Sequence, residues 1–152
     1  MNLTKMRRGV ALSVALCCGL AGPGCKSDST VPTHPTQPSP PVTTQVTSGN
    51  QALPAHHFLR IPFTTGQTGT LTVKVQWTYA TNVVWVDVAA GDCAIASYQA
   101  SQCEFLVASN EAVAAPQKSV SVSSFAGGTH TLIIDNRGPD DESLGYQVTL
   151  TS

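Results

Sequence analysis

Residues 70–77 read TLTVKVQW and alternate polar and apolar side chains without a break. Successive side chains of a β-strand point to opposite faces. The alternation therefore predicts a strand whose buried face is formed by Leu71, Trp77 and the two valines between them. The segment SVSVS at 119–123 repeats the pattern, and helical periodicity is nearly absent from this part of the sequence. These features constrain the region to a β fold.

Five further short apolar segments are separated by glycine-containing turns. Seven short strands at this spacing predict an all-β fold, an antiparallel β-sandwich, over residues 51–152. That span is about 100 residues, a common size for a domain with a single core. The five segments are 58–63, 83–88, 104–108, 129–134 and 146–150.

The segment 1–24 has the parts of an export signal. Three basic residues are followed by an apolar run at 9–21 and by small residues that lead to Cys25. The segment resembles a bacterial lipoprotein signal, cleaved before Cys25, with lipid attached to that cysteine. The resemblance implies a cell-envelope protein held on a membrane by its lipid anchor and facing the periplasm or the cell exterior. An aspartate directly after the lipid-modified cysteine can signal retention in the inner membrane. That position is Lys26 here, which favours the outer membrane.

Two alternatives stay open for this signal. Cys18 also follows apolar residues and is a second candidate for lipid attachment. An ordinary cleaved secretion signal with an incidental cysteine would fit as well.

Residues 25–50 are rich in Pro, Ser and Thr and contain almost no large apolar side chain. Such a segment buries too little surface to offset its ordering entropy, so we predict a disordered tether. A glycosylated segment is the alternative to a plain spacer.

The chain without its signal is acidic. The sequence has 8 basic and 9 acidic residues, and three of the basic ones but no acidic one lie in 1–24, which leaves a formal charge of −4. Nucleic-acid binding requires a basic face, so no nucleic-acid partner is expected. Membrane affinity would come from lipid rather than from charge.

Cys93 and Cys103 form an even pair in the predicted domain. In an oxidising compartment they are predicted to form one disulfide, which closes a surface excursion containing Tyr98. A metal or redox pair is the alternative, but a separation of ten residues matches neither a CxxC motif nor a zinc knuckle.

Three segments resemble a known family: GTLTVKVQW at 69–77, FAGGTHTLIIDN at 125–136 and YQVTL at 146–150. Together they are similar to the bacterial pre-peptidase C-terminal domain. That family has a jelly-roll-like β-sandwich and occurs as a non-catalytic appendage of secreted enzymes, associated with targeting or substrate binding. The resemblance implies a jelly-roll-like sandwich that is not an enzyme and needs no cofactor.

The family often has a DxDLxL strand, which corresponds here to VVWVDV at 83–88. If the alternate valines point inward, Val83 and Trp85 stand where the family has aspartates. A calcium site built on those acids is therefore in doubt.

An outward Trp85, helped by Tyr79 or Tyr98, is predicted to form a binding surface. Glycan, peptide and another envelope protein are the candidate partners. Two alternatives remain: Trp85 packs under a loop or against a strand, or the opposite register places it in the core and buries Asp87 with it.

Other candidate sites are weaker. Neighbouring strand residues face opposite ways, so His56 and His57 cannot easily share one metal ion. An acidic group near Gly138 has an oxygen-rich composition but no EF-hand spacing, which favours a solvated turn. No catalytic, metal or cofactor site is assigned. The acidic group consists of Asp135, Asp140, Asp141 and Glu142.

Two classes of function fit this sequence. The first is a lipid-anchored, non-catalytic binding or adhesion module. The second is a structural or accessory envelope lipoprotein that docks onto a partner complex and has no ligand of its own.

Overall fold

The computed structural model describes residues 37–109 and 116–152. The signal segment, Cys25 and most of the expected tether lie outside the described residues. The described part forms eight strands and one short helix. In chain order they are β1 (Thr43–Leu53), β2 (Phe58–Thr65), β3 (Gly69–Gln76), β4 (Val84–Ala90), α1 (Ile95–Gln99), β5 (Phe105–Ser109), β6 (Gln117–Phe125), β7 (Gly128–Asn136) and β8 (Glu142–Thr151).

The strands form two four-stranded sheets, with the orders β1-β8-β3-β6 and β2-β7-β4-β5. The neighbouring strands of both sheets are antiparallel. β1 pairs with β8, β2 with β7, β3 with β6 and β4 with β5, which is the strand order of a jelly roll. Side chains from both sheets share one hydrophobic core. The predicted all-β antiparallel β-sandwich is therefore confirmed.

The core follows the alternation that the sequence shows. The apolar side chains of β3 are buried, as is Trp77 just after it. Val84, Val86 and Val88 of β4 are buried as well. The observed register of β4 is therefore the one that directs Trp85 away from the core.

β1 corrects the expected boundary between tether and domain. It begins at Thr43, inside the segment 25–50 that the composition predicts as tether. β1 is an edge strand that pairs with β8 along its length, and Leu53 is its one buried side chain. Backbone hydrogen bonds to β8 hold this strand in place, so it needs to contribute little apolar surface to the core. Its composition therefore resembles that of a linker.

The acidic group near Gly138 is not a uniformly solvated turn. Asp140 and Asp141 are exposed, as expected, but Asp135 and Glu142 are buried. The two buried carboxylates contact different parts of the fold, so they have separate structural roles.

The Glu142 carboxylate holds the connection between β3 and β4. Its Oε2 accepts hydrogen bonds from the backbone N–H groups of Thr78 at 2.6 Å and Tyr79 at 3.2 Å. Its Oε1 accepts a hydrogen bond from the side-chain amide of Asn82 at 2.6 Å. A buried carboxylate is stable in this position because these donors replace the water that it has lost.

We expect Glu142→Ala to lower the free energy of unfolding by about 2–4 kcal/mol, because three donors would lose their acceptor. Asp140→Ala is the matched control, since its exposed carboxylate makes no hydrogen bond to the described residues. It should change stability by less than about 0.5 kcal/mol. Urea denaturation measures both variants, and equal losses would contradict the role assigned to Glu142.

Candidate functional site

A cavity of about 470 Å³ lies on the face of the β2-β7-β4-β5 sheet that points away from the core. It combines aromatic rings with two carboxylates and one guanidinium. The side chains that define its character are Phe58, Trp85, Asp87, Tyr98, Asp135 and Arg137.

One wall of the cavity belongs to residues 91–104, here called the disulfide loop. Cys93 and Cys103 are joined by a disulfide, as the sequence predicts. The loop contains α1 and packs on a second small apolar cluster, in which Ala89 and Ile133 are buried together with Cys93. The loop therefore covers part of a sheet face that would otherwise be exposed.

Hydrogen bonds also hold the disulfide loop on the sheet. Gly91 begins the loop with a φ of 69°, a left-handed conformation that favours glycine. The Thr131 hydroxyl donates to the carbonyl of Gly91 at 2.9 Å and accepts from the backbone N–H of Cys93 at 3.1 Å. Arg60 Nε donates to the carbonyl of Cys93 at 2.8 Å.

Tyr98 on α1 connects the loop to the sheet. Its hydroxyl lies 3.2 Å from Asp87 Oδ2 on β4 and 3.1 Å from Asp135 Oδ2 on β7. Its ring packs against Phe58 and Phe105, with centroid distances of 5.4 and 6.0 Å. A hydroxyl has one proton, so Tyr98 donates to only one of the two carboxylates at a time.

Both carboxylates are 4% exposed, and burial in this site shifts the pKa values of Asp87 and Tyr98. Burial raises the pKa of Asp87, against the lowering effect of hydrogen bonds from the Ser109 N–H and the Tyr98 hydroxyl. Burial, together with the charges of Asp135 and Asp87, also raises the pKa of Tyr98. The Tyr98 hydroxyl therefore stays protonated and remains a hydrogen-bond donor.

Arg137 supplies the positive charge in the cavity. Its Nε lies 2.6 Å from Asp135 Oδ2, and its side chain is 48% exposed. The guanidinium carbon lies 4.4 Å from the centroid of the Trp85 ring, which is a cation–π contact. Trp85 is thus half-buried and partly covered by a charged group, rather than bare to solvent.

The structure brings together two of the three aromatic residues predicted to form the binding surface. Trp85 and Tyr98 line the same cavity. Tyr79 lies in the connection between β3 and β4, is 49% exposed and is not a cavity residue. His56 lines the cavity with a φ of 59°, whereas Nδ1 of His57 lies 2.8 Å from the carbonyl of Ala55. The two histidines therefore have different surroundings.

The common site of Asp87, Asp135 and Arg137 is not predicted from the sequence. Two signals in the sequence were relevant. Asp87 follows Trp85 by two residues, and Arg137 follows Asp135 by two, so each pair shares a face of its strand. The pairing of Trp85 with Asp135 across β4 and β7 completes the site, and that pairing is tertiary information.

Within residues 37–109 and 116–152, no three His, Cys, Asp or Glu side chains are arranged to hold a metal ion. No helix in these ranges is long and apolar enough to cross a membrane.

Neither a protein-family model nor a curated protein matches the chain. Among solved structures, it is similar to Aeromonas hydrophila PliG, a periplasmic lysozyme inhibitor of g-type lysozyme. The sequence identity is 10%, the match covers 71% of this chain and 87% of that chain, and the TM-score is 0.44. At this distance the likeness does not inform function, and the resemblance to the pre-peptidase C-terminal domain stays a prediction.

Replacing both cysteines with alanine should lower the free energy of unfolding by about 2–3 kcal/mol, the chain-entropy value for a short closed loop. The sandwich should remain folded, because the disulfide loop contributes no residue to the main core. Urea denaturation followed by circular dichroism measures the loss. Hydrogen exchange should show weaker protection of the α1 amides. Unchanged stability and unchanged exchange would contradict this role of the cross-link.

Proposed function

We propose that this protein is a lipid-anchored cell-envelope protein whose jelly-roll domain recognises a ligand in the cavity without catalysing a reaction. One observation carries the proposal. The cavity presents aromatic rings beside a guanidinium that is held in place by a buried carboxylate. Ordered polar groups within an aromatic pocket are the usual composition of a binding site for a small ligand or for part of a larger one.

The position of Tyr98 supports a non-catalytic role. The paired carboxylates of most glycoside hydrolases act on a glycosidic bond that lies between them. Here the Tyr98 hydroxyl lies between Asp87 and Asp135, within hydrogen-bond distance of both. Both carboxylates are also almost fully buried. The pair therefore serves to hold Tyr98 and Arg137 rather than to attack a substrate.

The N-terminal sequence supports the proposed location. Basic, apolar and small residues lead to Cys25, and a proline-rich segment follows it. In this proposal Cys25 carries the lipid, and the proline-rich segment separates the membrane from β1. The outer membrane is the proposed location, on the basis of Lys26.

The anchor is tested by Cys25→Ser in the full-length chain. We expect the variant to accumulate as unprocessed precursor or to leave the membrane fraction. Cys18→Ser is the matched control and should be processed and retained like the wild type. If only the Cys18→Ser variant leaves the membrane fraction, Cys18 rather than Cys25 carries the lipid. Membrane retention and normal processing of both variants would refute a lipid on either cysteine.

Recognition is tested by Trp85→Ala, with Tyr79→Ala as a control that removes an exposed aromatic ring outside the cavity. Each variant is applied to a printed glycan array and to an array of immobilised peptides. We expect the wild type to bind at least one array. Trp85→Ala should abolish that binding, and Tyr79→Ala should keep it. Both variants should stay within about 1 kcal/mol of wild-type stability, as is usual for substitutions outside the core.

The outcomes separate binding from simple docking. Binding that depends on Trp85 but not on Tyr79 supports recognition in the cavity. Absence of binding on both arrays, or binding that survives Trp85→Ala, contradicts it and favours an accessory lipoprotein that docks through another surface.

A further inference from the structure

The charges in the cavity restrict the class of ligand. Arg137 already occupies the position over the Trp85 ring and beside Asp135, where a ligand cation would gain most. The two carboxylates are engaged as well. Asp87 lies within hydrogen-bond distance of the Ser109 N–H and the Tyr98 hydroxyl. Asp135 contacts Tyr98 and Arg137. A charged ligand group would therefore lose hydration without meeting a partner of opposite charge that is not already engaged. The cavity favours a neutral ligand for this reason.

The polar groups at the cavity rim favour a ligand that both donates and accepts hydrogen bonds. His56, Gln99 and Ser101 line the rim, are exposed and make no side-chain hydrogen bond to the described residues. The exposed part of Arg137 adds N–H donors. Imidazole, amide and hydroxyl groups include acceptors as well as donors. A hydroxyl-rich ligand matches this mixture, because each of its hydroxyl groups can serve either role.

The aromatic rings require an apolar surface on the same ligand. Phe58, Trp85, Tyr98 and Phe105 all line the cavity, and Phe105 is 36% exposed. The C–H face of a sugar ring is apolar and can pack on such rings while its hydroxyl groups point to polar partners. The volume of about 470 Å³ lies within the usual range of small-ligand sites.

We propose that the cavity binds a neutral pyranose unit of a glycan, an inference that rests on the proposed function of the cavity. The ring would lie against the aromatic side chains. Its hydroxyl groups would bond to Arg137, Gln99 and Ser101. A peptide bearing a lysine or arginine side chain is the competing ligand.

Three methyl glycosides that share one sugar ring and differ only at C6 test this proposal. They are methyl glucoside, methyl glucuronide, which has a carboxylate at C6, and methyl 6-amino-6-deoxyglucoside, which has an ammonium group there. The neutral galactoside, mannoside and N-acetylglucosaminide extend the neutral set. Ligand-observed NMR on the wild-type domain measures binding without any substitution in the protein. Arginine methyl ester is the cationic probe that represents a peptide side chain.

We expect at least one neutral glycoside to bind saturably, with a dissociation constant of about 1 mM, typical of a ligand of this size. Its C6-charged analogues should bind about tenfold more weakly, because each would lose hydration of its charge while the charged groups of the cavity are already engaged with one another. Trp85→Ala should abolish binding of the neutral glycoside, and Tyr79→Ala should keep it.

Two results would overturn the ligand class while leaving the proposed function intact. The first is tighter binding of a charged glycoside or of arginine methyl ester than of every neutral glycoside. The second is no binding of any neutral glycoside by a wild-type domain that binds an immobilised peptide in a Trp85-dependent manner. Absence of any Trp85-dependent binding, to glycosides or to either array, would overturn both the ligand class and the proposed function.

Discussion

Burial of apolar side chains between the two sheets determines the direction of the remaining side chains of β4 and β7. Val84, Val86 and Val88 fill the core from one strand, and Leu132 and Ile134 from its neighbour. Alternation then places Trp85, Asp87, Asp135 and Arg137 on the opposite face of the sheet. A slip of one residue in either strand would exchange core and cavity. The free energy gained by burying these apolar side chains therefore also fixes the geometry of the proposed site.

Asp87 shows how far alternation alone can predict a site. From the sequence, burial of Asp87 is expected with the register opposite to the one observed. The structure has Trp85 directed outward and nevertheless buries Asp87, because the disulfide loop covers that part of the sheet. The cysteine pair could be predicted from composition and compartment. The sheet face on which the loop lies depends on the packing of Tyr98 against Phe58 and on the cluster around Ile133, which no local pattern encodes.

The other differences have the same kind of origin. β1 has polar side chains on nearly its whole length and is held by its pairing with β8, so its composition resembles the linker before it. Tyr79 is predicted from the sequence, like Tyr98, to help Trp85 form the binding surface. The Glu142 carboxylate accepts a hydrogen bond from the backbone N–H of Tyr79 in the connection between β3 and β4. This connection holds Tyr79 outside the cavity. Strand patterns were therefore readable from the sequence, whereas the contacts of loops were not.

The pairing of β1 with β8 also determines how the domain would respond to a mechanical load. In the proposed anchored state, a force transmitted from Cys25 enters the fold through the segment before Thr43. The first pairs that it meets are the backbone hydrogen bonds between Val42 and Ser152, at 2.9 and 3.0 Å, followed by the pair Thr43↔Thr151. The hydrophobic core lies behind this row of backbone hydrogen bonds. The force at which the domain begins to open is then set by an exposed edge strand rather than by the packing of the sandwich.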